Sequence, residues 1–233
     1  VDHRLEAGLI SLILPYWDRQ AAADRALATL AEHYASLDLE VIVVDDGNRE
    51  PFRIPADSPL DLHVVRLPRK EQPTPQSRAW NAGVKASTGD ILALSCVEVL
   101  HPAPVLEELA AQLAALGPYG YVLAAAWCQE RREWHCKSDV RSWDGFPPGY
   151  AGTFLAVLNR ELFARAGGFD EDYMAGAGYE DRDFVCRLLA AGARFMVRDD
   201  LVVHHPKTGA TIKWPAEGFA RNEKLFKRKW PNH

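Results

Sequence analysis

Glu180, Asp181 and Asp183 bring three carboxylates into one short stretch of chain. A turn rich in glycine and acid leads into them, Gly167-Gly168-Phe169-Asp170-Glu171 and then Gly178-Tyr179, and the apolar run Phe184-Val185-Cys186-Arg187-Leu188-Leu189 follows. The pattern predicts a helix with the acids in its first turn, where unpaired N–H groups and the helix dipole favour negative charge. One or two acids suffice for capping. Three of them, approached through Gly178 and Tyr179, outline a site, although Asp183 can also be read as a cap and nothing more.

Other residues carry chemistry of a different kind. Val43-Val44-Asp45-Asp46-Gly47 sets two acids at the end of an apolar strand. Asp45 can cap the turn that follows, and an acid here can also accept hydrogen bonds from a ribose or a base N–H. A dinucleotide-binding fold would place an acid at this point too, but it needs a glycine-rich turn after the first strand. The chain has Pro15-Tyr16-Trp17-Asp18-Arg19 there, which argues against a nicotinamide cofactor. Arg78 and Asn81 stand one turn apart on a predicted helix face. Arginine suits phosphate oxygens, and a solvated surface arginine is the alternative. His204 and His205 close an apolar segment; a neutral imidazole near acids is a common metal ligand, while a structural or surface role is the plainer reading. The four cysteines form no C-x-x-C pair, which excludes a typical zinc ribbon or thioredoxin-type motif. Cys96 and Cys186 lie in apolar segments and read as buried thiols, and a Cys128–Cys136 bridge stays open.

These residues need a scaffold. The chain has 233 residues, 48% hydrophobic and 25% charged, as a globular protein does. Its net charge of −5 argues against broad binding to a phosphate backbone, so no nucleic-acid partner is expected. Residues 9–14, 39–44, 62–66 and 91–94 read as strands, the first stopped by Pro15. Helical spacing covers 19–37, 76–87 and 103–116. Continuous apolar strands alternating with helices imply an α/β fold, its parallel sheet covered on both faces. Ligands of such sheets bind at the carboxyl ends of the strands. Pro15–Arg19, Asp45–Asn48 and Ser95–His101 should therefore face one crevice. After residue 117 the pattern changes. Residues 121–127 form a strand, 129–150 an irregular, lid-like excursion, and 153–158 a return to the core. A short helix at 161–166, the acidic helix, short strands at 195–197 and 201–203 and a terminal helix at 215–230 complete the chain. No linker divides it, so a single domain over 1–233 with two halves is expected. There is no signal-peptide apolar region and no run of ~20 apolar residues. A cytoplasmic protein without a transmembrane segment is the expectation.

In this order and at these spacings, the pieces resemble the GT-A-fold glycosyltransferases of family 2, which are inverting and use nucleotide-diphosphate sugars. The similarity runs from Ile13-Leu14-Pro15-Tyr16 to the terminal helix. Val41 to Gly47 looks like the family's strand contacting the nucleotide base. Arg78-Ala79-Trp80-Asn81-Ala82-Gly83 with Ala86-Ser87-Thr88-Gly89-Asp90 resembles its R-x-x-N-x-G…A-x-G-D segment. Gly167-Gly168-Phe169-Asp170-Glu171 with Gly178-Tyr179-Glu180-Asp181-Arg182-Asp183 resembles its G-G-F-D-E…E-D-x-D acceptor-site motif. The resemblance implies a mostly parallel central sheet flanked by helices, with 1–117 as the nucleotide-binding half and 118–233 as the acceptor-binding half.

It also implies roles. Asp181 would be the general base with Glu180 close by, since an acceptor hydroxyl must lose its proton as it attacks, and a positioned carboxylate contributes ~10²–10⁴-fold. Pro15, Tyr16, Asp45, Asp46, Arg78, Asn81 and Ser95 fall on the donor side, with Asp46 at the base or ribose and Arg78 at the diphosphate. Trp134, Trp143, Gly168 and Tyr179 fall on the acceptor side; either tryptophan can stack on a sugar ring or serve as buried packing. The donor expected is a nucleotide sugar, UDP-linked, and the acceptor a saccharide or lipid-linked saccharide. The leaving diphosphate must be neutralised by a divalent metal, Mn²⁺ or Mg²⁺, or by Arg and Lys. Here the chain departs from the family: Ser95-Cys96-Val97-Glu98 stands where a D-x-D is expected. Glu98 and His204 as metal ligands is the favoured resolution. A metal held mainly by the diphosphate, and a silent nucleotide-sugar-binding or scaffold module, are the others. A nucleotidyltransferase is disfavoured, since no glycine-rich basic loop follows the first strand. The basic terminal helix (Arg221, Lys224, Lys227, Arg228, Lys229) reads as a solvated face; contact with an anionic acceptor, the diphosphate or a membrane periphery is the alternative.

Overall fold

The apolar runs become strands buried along their whole length, β1 (Ile10–Tyr16) and β2 (Leu39–Asp45). The structure is a computed structural model and describes residues 8–140, 153–207 and 214–233. β3 (Asp61–Arg66) and β4 (Ile91–Ser95) flank the first two, and all four run parallel. Parallel strands need crossovers, and α1 (Gln20–Tyr34) and α2 (Ser77–Ala86) supply two of them. α3 (Leu106–Leu116) then leads into β5 (Gly120–Cys128). The sheet order is β3-β2-β1-β4-β7-β5-β6, with β8 (Arg194–His204) parallel to the other edge of β5. β7 (Leu155–Asn159) runs antiparallel between β4 and β5, and β6 (Glu133–Cys136) antiparallel to β5.

Three features differ from the sequence-based reading. Pro15 does not end the first strand: β1 continues to Tyr16 against β2, and the missing N–H is tolerated because pairing with β4 stops at Ile13. The segment after residue 128 is not wholly irregular, since Glu133–Cys136 folds back on β5. Residues 194–204 make one strand rather than two; a bulge between Arg198 and Val202, opposite Ala124 and Ala125, interrupts its register.

The motif around α2 is largely architecture. A Cβ on Gly83 would lie 2.3 Å from Ile13 Cγ2, so only glycine lets α2 press onto β1 this closely. The stretch before β4 closes on Glu40. That carboxylate accepts from Ser11 Oγ at 2.5 Å, Thr88 N at 2.5 Å and Gly89 N at 2.9 Å. Burial opposes its charge, but these donors hold its pKa below the usual carboxylate value. His101 is a core residue. Its ring shares a 2.9 Å hydrogen bond with the Tyr34 hydroxyl, and burial pushes its pKa down to about 3, so the imidazole is neutral.

The second half adds α4 (Arg160–Ala166), a 3-10 turn (Glu171–Ala175), α5 (Glu180–Ala190) and α6 (Ala216–Lys229). α6 docks Leu225 and Phe226 against Tyr173 and Cys186. Among the described residues, no helix is long and apolar enough to cross a membrane.

Candidate active site

Each strand that ends in the crevice delivers a charged group. Behind β2, Asp45 is fully buried and accepts from Asn48 N, Asn48 Nδ2 and Phe52 N at 3.0, 2.7 and 3.0 Å. Asp45 therefore organises the turn. Asn48 in turn accepts from Asp18 N at 2.8 Å, which ties the β1 loop to the β2 loop. Asp46, also buried, is ion-paired with Lys70 and, at 3.1 Å, with Arg78 Nη2. Lys70 also donates to Thr74 Oγ1 at 2.7 Å and lies 4.9 Å from the centre of the Trp17 ring. Tyr16 is buried beside Phe52, at 5.0 Å between ring centres.

Beyond β4 the D-x-D positions are absorbed by the core. Ser95 Oγ donates to Phe154 O at 2.7 Å, and Val97 is buried. Glu98 carries the acid chemistry instead. It is ion-paired with Arg19, and His205 Nε2 lies 3.6 Å from its Oε1. Burial raises its pKa, yet His205 and Arg19 outweigh that and keep Glu98 below the usual carboxylate value. The imidazole at Glu98 is thus that of His205, not His204. Successive strand side chains point to opposite faces, and His204, the last residue of β8, exchanges both backbone hydrogen bonds with Leu100. His205 Nδ1 faces His135 Nδ1 at 3.2 Å, with Phe154 against both rings.

Across from Glu98, α5 begins with a turn in which Gly178 and Tyr179 have φ of +61° and +72°. Glu180 and Asp181 emerge from it. Burial lifts both carboxyls above their ordinary values, and Asp181's charge lifts Glu180 further. The two carboxyls titrate as a pair, and burial disfavours the charge on both. Glu180 Oε2 is buried without a hydrogen-bond partner. Burial raises the pKa of the Cys96 thiol, and the charges of Glu98 and Asp181 both add to that. The two acids therefore share the space around Cys96. Asp183 is not part of this pair: it accepts from Arg187 Nε at 2.5 Å, Trp230 Nε1 at 2.8 Å and Tyr173 OH at 3.2 Å, all in the protein interior.

Several expected ligand contacts turn out to be internal ones. Asn81 Nδ2 donates to Phe169 O at 2.8 Å and to Glu171 Oε1 at 3.0 Å, and Phe169 N donates back to Asn81 Oδ1 at 2.9 Å. It joins α2 to the 167–171 turn. Gly168 is buried under that joint, at φ +67°, and a Cβ there would sit 2.8 Å from Asn81 Oδ1. Tyr179 packs at 5.6 Å on Phe226, with Arg182 at 4.9 Å over its ring. Trp134 meets Trp127 edge-on at 4.9 Å and Lys137 at 5.5 Å, while its neighbour His135 takes the site side of β6. Trp143 lies outside the described residues. Lys70 and His135 are the candidates that motif spacing missed: Lys70 lies in the segment that follows β3, and His135 lies within β6.

A cavity of about 540 Å³ opens between residues 72–74, residues 174–176 and the start of α6, with Thr74, Trp214 and Arg221 in its lining. Among the described residues, no group of three or more His, Cys, Asp or Glu could hold a metal ion. Glu98 and His205 nonetheless offer one hard oxygen and one imidazole nitrogen side by side. That pair fits a divalent cation whose other ligands come from a diphosphate and water.

The family model described as Glycosyl transferase family 2 matches residues 11–158, and that of the N-terminal domain of galactosyltransferase matches residues 132–208. Two validoxylamine A glucosyltransferases, from Streptomyces hygroscopicus subsp. jinggangensis (strain 5008) and subsp. limoneus, are each 29% identical over 222 residues. These alignments cover 79% of this chain and 52% and 48% of the relatives, so the chain spans about half their length. Among solved structures, TarS 1–349 of S. aureus in complex with UDP-GlcNAc superposes with a TM-score of 0.72 at 17% identity, covering 96% of this chain and 67% of that one. The mannosyltransferase PcManGT of Pyrobaculum calidifontis, in complex with GDP-Man and Mn²⁺, superposes with a TM-score of 0.63 at 22% identity, covering 87% and 58%. At such identities the likeness is one of fold.

Proposed function

The chain belongs to glycosyl transferase family 2 and has the GT-A fold, and from that premise we propose that it transfers a sugar from a nucleotide-diphosphate donor to an acceptor hydroxyl with inversion. One observation supports the reading: the half-buried Glu180–Asp181 pair opens α5, and the charges of Asp181 and Glu98, from opposite halves of the chain, both act on the Cys96 thiol. In this reading Asp46 receives the base or ribose, with Lys70 and Arg78 beside it for the phosphates. The acceptor oxygen attacks the anomeric carbon on the face opposite the diphosphate, and Asp181 takes the hydroxyl proton as the new C–O bond forms. The bond from the anomeric carbon to the diphosphate oxygen breaks, and the electron pair leaves with the nucleoside diphosphate. Glu180, whose carboxyl pKa burial and the Asp181 charge also raise, stands beside Asp181.

Glu98 and His205 would hold a divalent cation, which when bound supplies charge neutralisation for the leaving diphosphate. Arg19, ion-paired with Glu98, adds a positive charge beside this pair. UDP-sugars as donors, and a saccharide or lipid-linked saccharide as acceptor, remain the substrate classes we propose. The 540 Å³ cavity flanked by Trp214 is the natural space for the acceptor's further rings. The decisive experiment replaces Asp181 by Asn. Transfer should fall by ~10²–10⁴-fold while the affinity for the nucleotide sugar stays close to wild type; near-normal turnover in this variant would falsify the assignment.

A silent nucleotide-sugar-binding module is the second reading, favoured by the absorption of Ser95 and Val97 into the core. Measuring thermal stability and transfer with Mn²⁺ and then with a chelator separates the two. The enzyme should gain stability with metal and donor together, and lose transfer on chelation. A binding module would gain stability without any turnover.

A further inference from the structure

We infer that Asn222 is the positioning residue of the Glu180–Asp181 pair, acting from α6 through the left-handed turn that aims both carboxylates. The inference rests on the reading of Asp181 as the base. That turn needs to be held: a bulky residue with φ near +70° costs about 1–2 kcal/mol relative to the right-handed region. Tyr179 has φ +72° directly after Gly178 at +61°. Glu180 Oε2, just after the turn, is buried and makes no hydrogen bond.

Asn222 supplies the restraint. It is fully buried, and its Nδ2 donates to Gly178 O and Tyr173 O, each at 2.8 Å. Gly178 O belongs to the peptide unit that enters Tyr179, so this bond fixes the plane from which α5 departs. Its own orientation is fixed as well, since Oδ1 accepts from Arg221 Nη1 at 2.8 Å. Gly176 makes room for it: a Cβ there would stand 2.2 Å from Asn222 Oδ1. The rest of α6 reinforces the same turn. Ala177 N donates to Gly218 O at 3.1 Å, the Phe219 ring closes on Gly178, and Phe226 packs on Tyr179. By contrast, Trp230 anchors α6 to Asp183, and Lys229 to Asp170, at points away from the Gly178 peptide.

Those separate anchors make the test discriminating. Asn222→Ala and Trp230→Phe each remove buried hydrogen bonds of α6, but only the first frees the Gly178 carbonyl. Turnover is followed with whichever of UDP-glucose, UDP-N-acetylglucosamine and GDP-mannose the wild-type chain uses fastest. Below its melting temperature, Asn222→Ala should lose on the order of 10- to 100-fold in kcat, the range set by small misplacement of a catalytic group. The donor KM should hold. Trp230→Phe should lower stability with kcat unchanged. Asn222→Ser, which keeps one donor, should fall between, and carries the test if the alanine variant does not fold. Amide hydrogen exchange over residues 178–183 gives a reading that needs no turnover: it should quicken in the Asn222 variants and stay slow in Trp230→Phe. A wild-type kcat in Asn222→Ala, equal losses in the Asn222 and Trp230 variants, or unchanged exchange at 178–183 overturns the inference. Asp181→Asn, run alongside, tells this failure from that of the base assignment, because an active Asp181→Asn sinks the latter alone.

Discussion

Asp181 and Glu180 stand side by side in the first turn of α5 and titrate as a pair. Both carboxyls stand above the values they would have in the unfolded chain, because burial disfavours their charge. The folded state therefore binds more protons than the unfolded state. The stability this contributes is present at acidic pH and is lost as pH rises through the raised folded values. Glu180→Gln removes that loss. It should raise the melting temperature at about pH 8.5 by roughly 2–4 °C for each kcal/mol recovered, and leave it almost unchanged at about pH 5; a gain of equal size at both pH values would contradict the protonation reading. His205 permits a second test. His205→Ala should raise the Mn²⁺ concentration needed for thermal stabilisation in the presence of UDP by about 10-fold or more, whereas His204→Ala should leave it alone. An identical metal response in both variants would remove His205 from the ligand set.

At the level of elements, the joint between α2 and the 167–171 turn explains why so much of the motif is not ligand-facing. Asn81 exchanges hydrogen bonds with both the N–H and the carbonyl of Phe169, and Gly168 leaves the space for it. Asn81→Ala strands these buried groups and should cost about 1–3 kcal/mol in unfolding free energy. Denaturant melts would show it, and a loss well under that range would mean water or a neighbour replaces the amide. Phe169 extends the joint into the core, stacked 5.7 Å from Trp80 and 4.0 Å from Phe184. The same turn then sends Asp170 to Arg187 at 2.6 Å. Thus one element couples α2 to α5, the helix that opens with Glu180 and Asp181. Motif spacing shows which residues meet; it is silent on whether they meet a ligand or one another.

For the molecule as a whole, strand order decides what can be separated. β7, from the second half, lies between β4 and β5, so a cut near residue 117 would leave the β4 edge bare. We propose that the nucleotide-binding and acceptor-binding halves fold as a single unit. Thermal unfolding should then show one transition, and saturating nucleotide at about 100 times its dissociation constant should stabilise it by about 2.7 kcal/mol. Two separated transitions, of which only one responds to UDP, would contradict a single unit. The crevice is a property of this scale too. Arg19 follows β1, Asp46 follows β2, Glu98 follows β4 and His205 follows β8, and all are brought to one side because parallel strands end together.

The amino-acid order by itself determined the alternation of strands and helices, the crevice at their carboxyl ends and the acidic first turn of α5, because apolar periodicity and capping are local properties of a chain. It also marked Asp46 and the Glu180–Asp181 pair as the acids to examine. Tertiary structure decided the rest. Only packing turned Asp45, Asn81 and Gly168 inward, engaged Asp183 with Trp230, and chose His205 over His204 beside Glu98. The physical reason is that a side chain's partner depends on which face of its element is covered and by what. Those covering groups come from residues tens of positions away, in an arrangement that local spacing does not record.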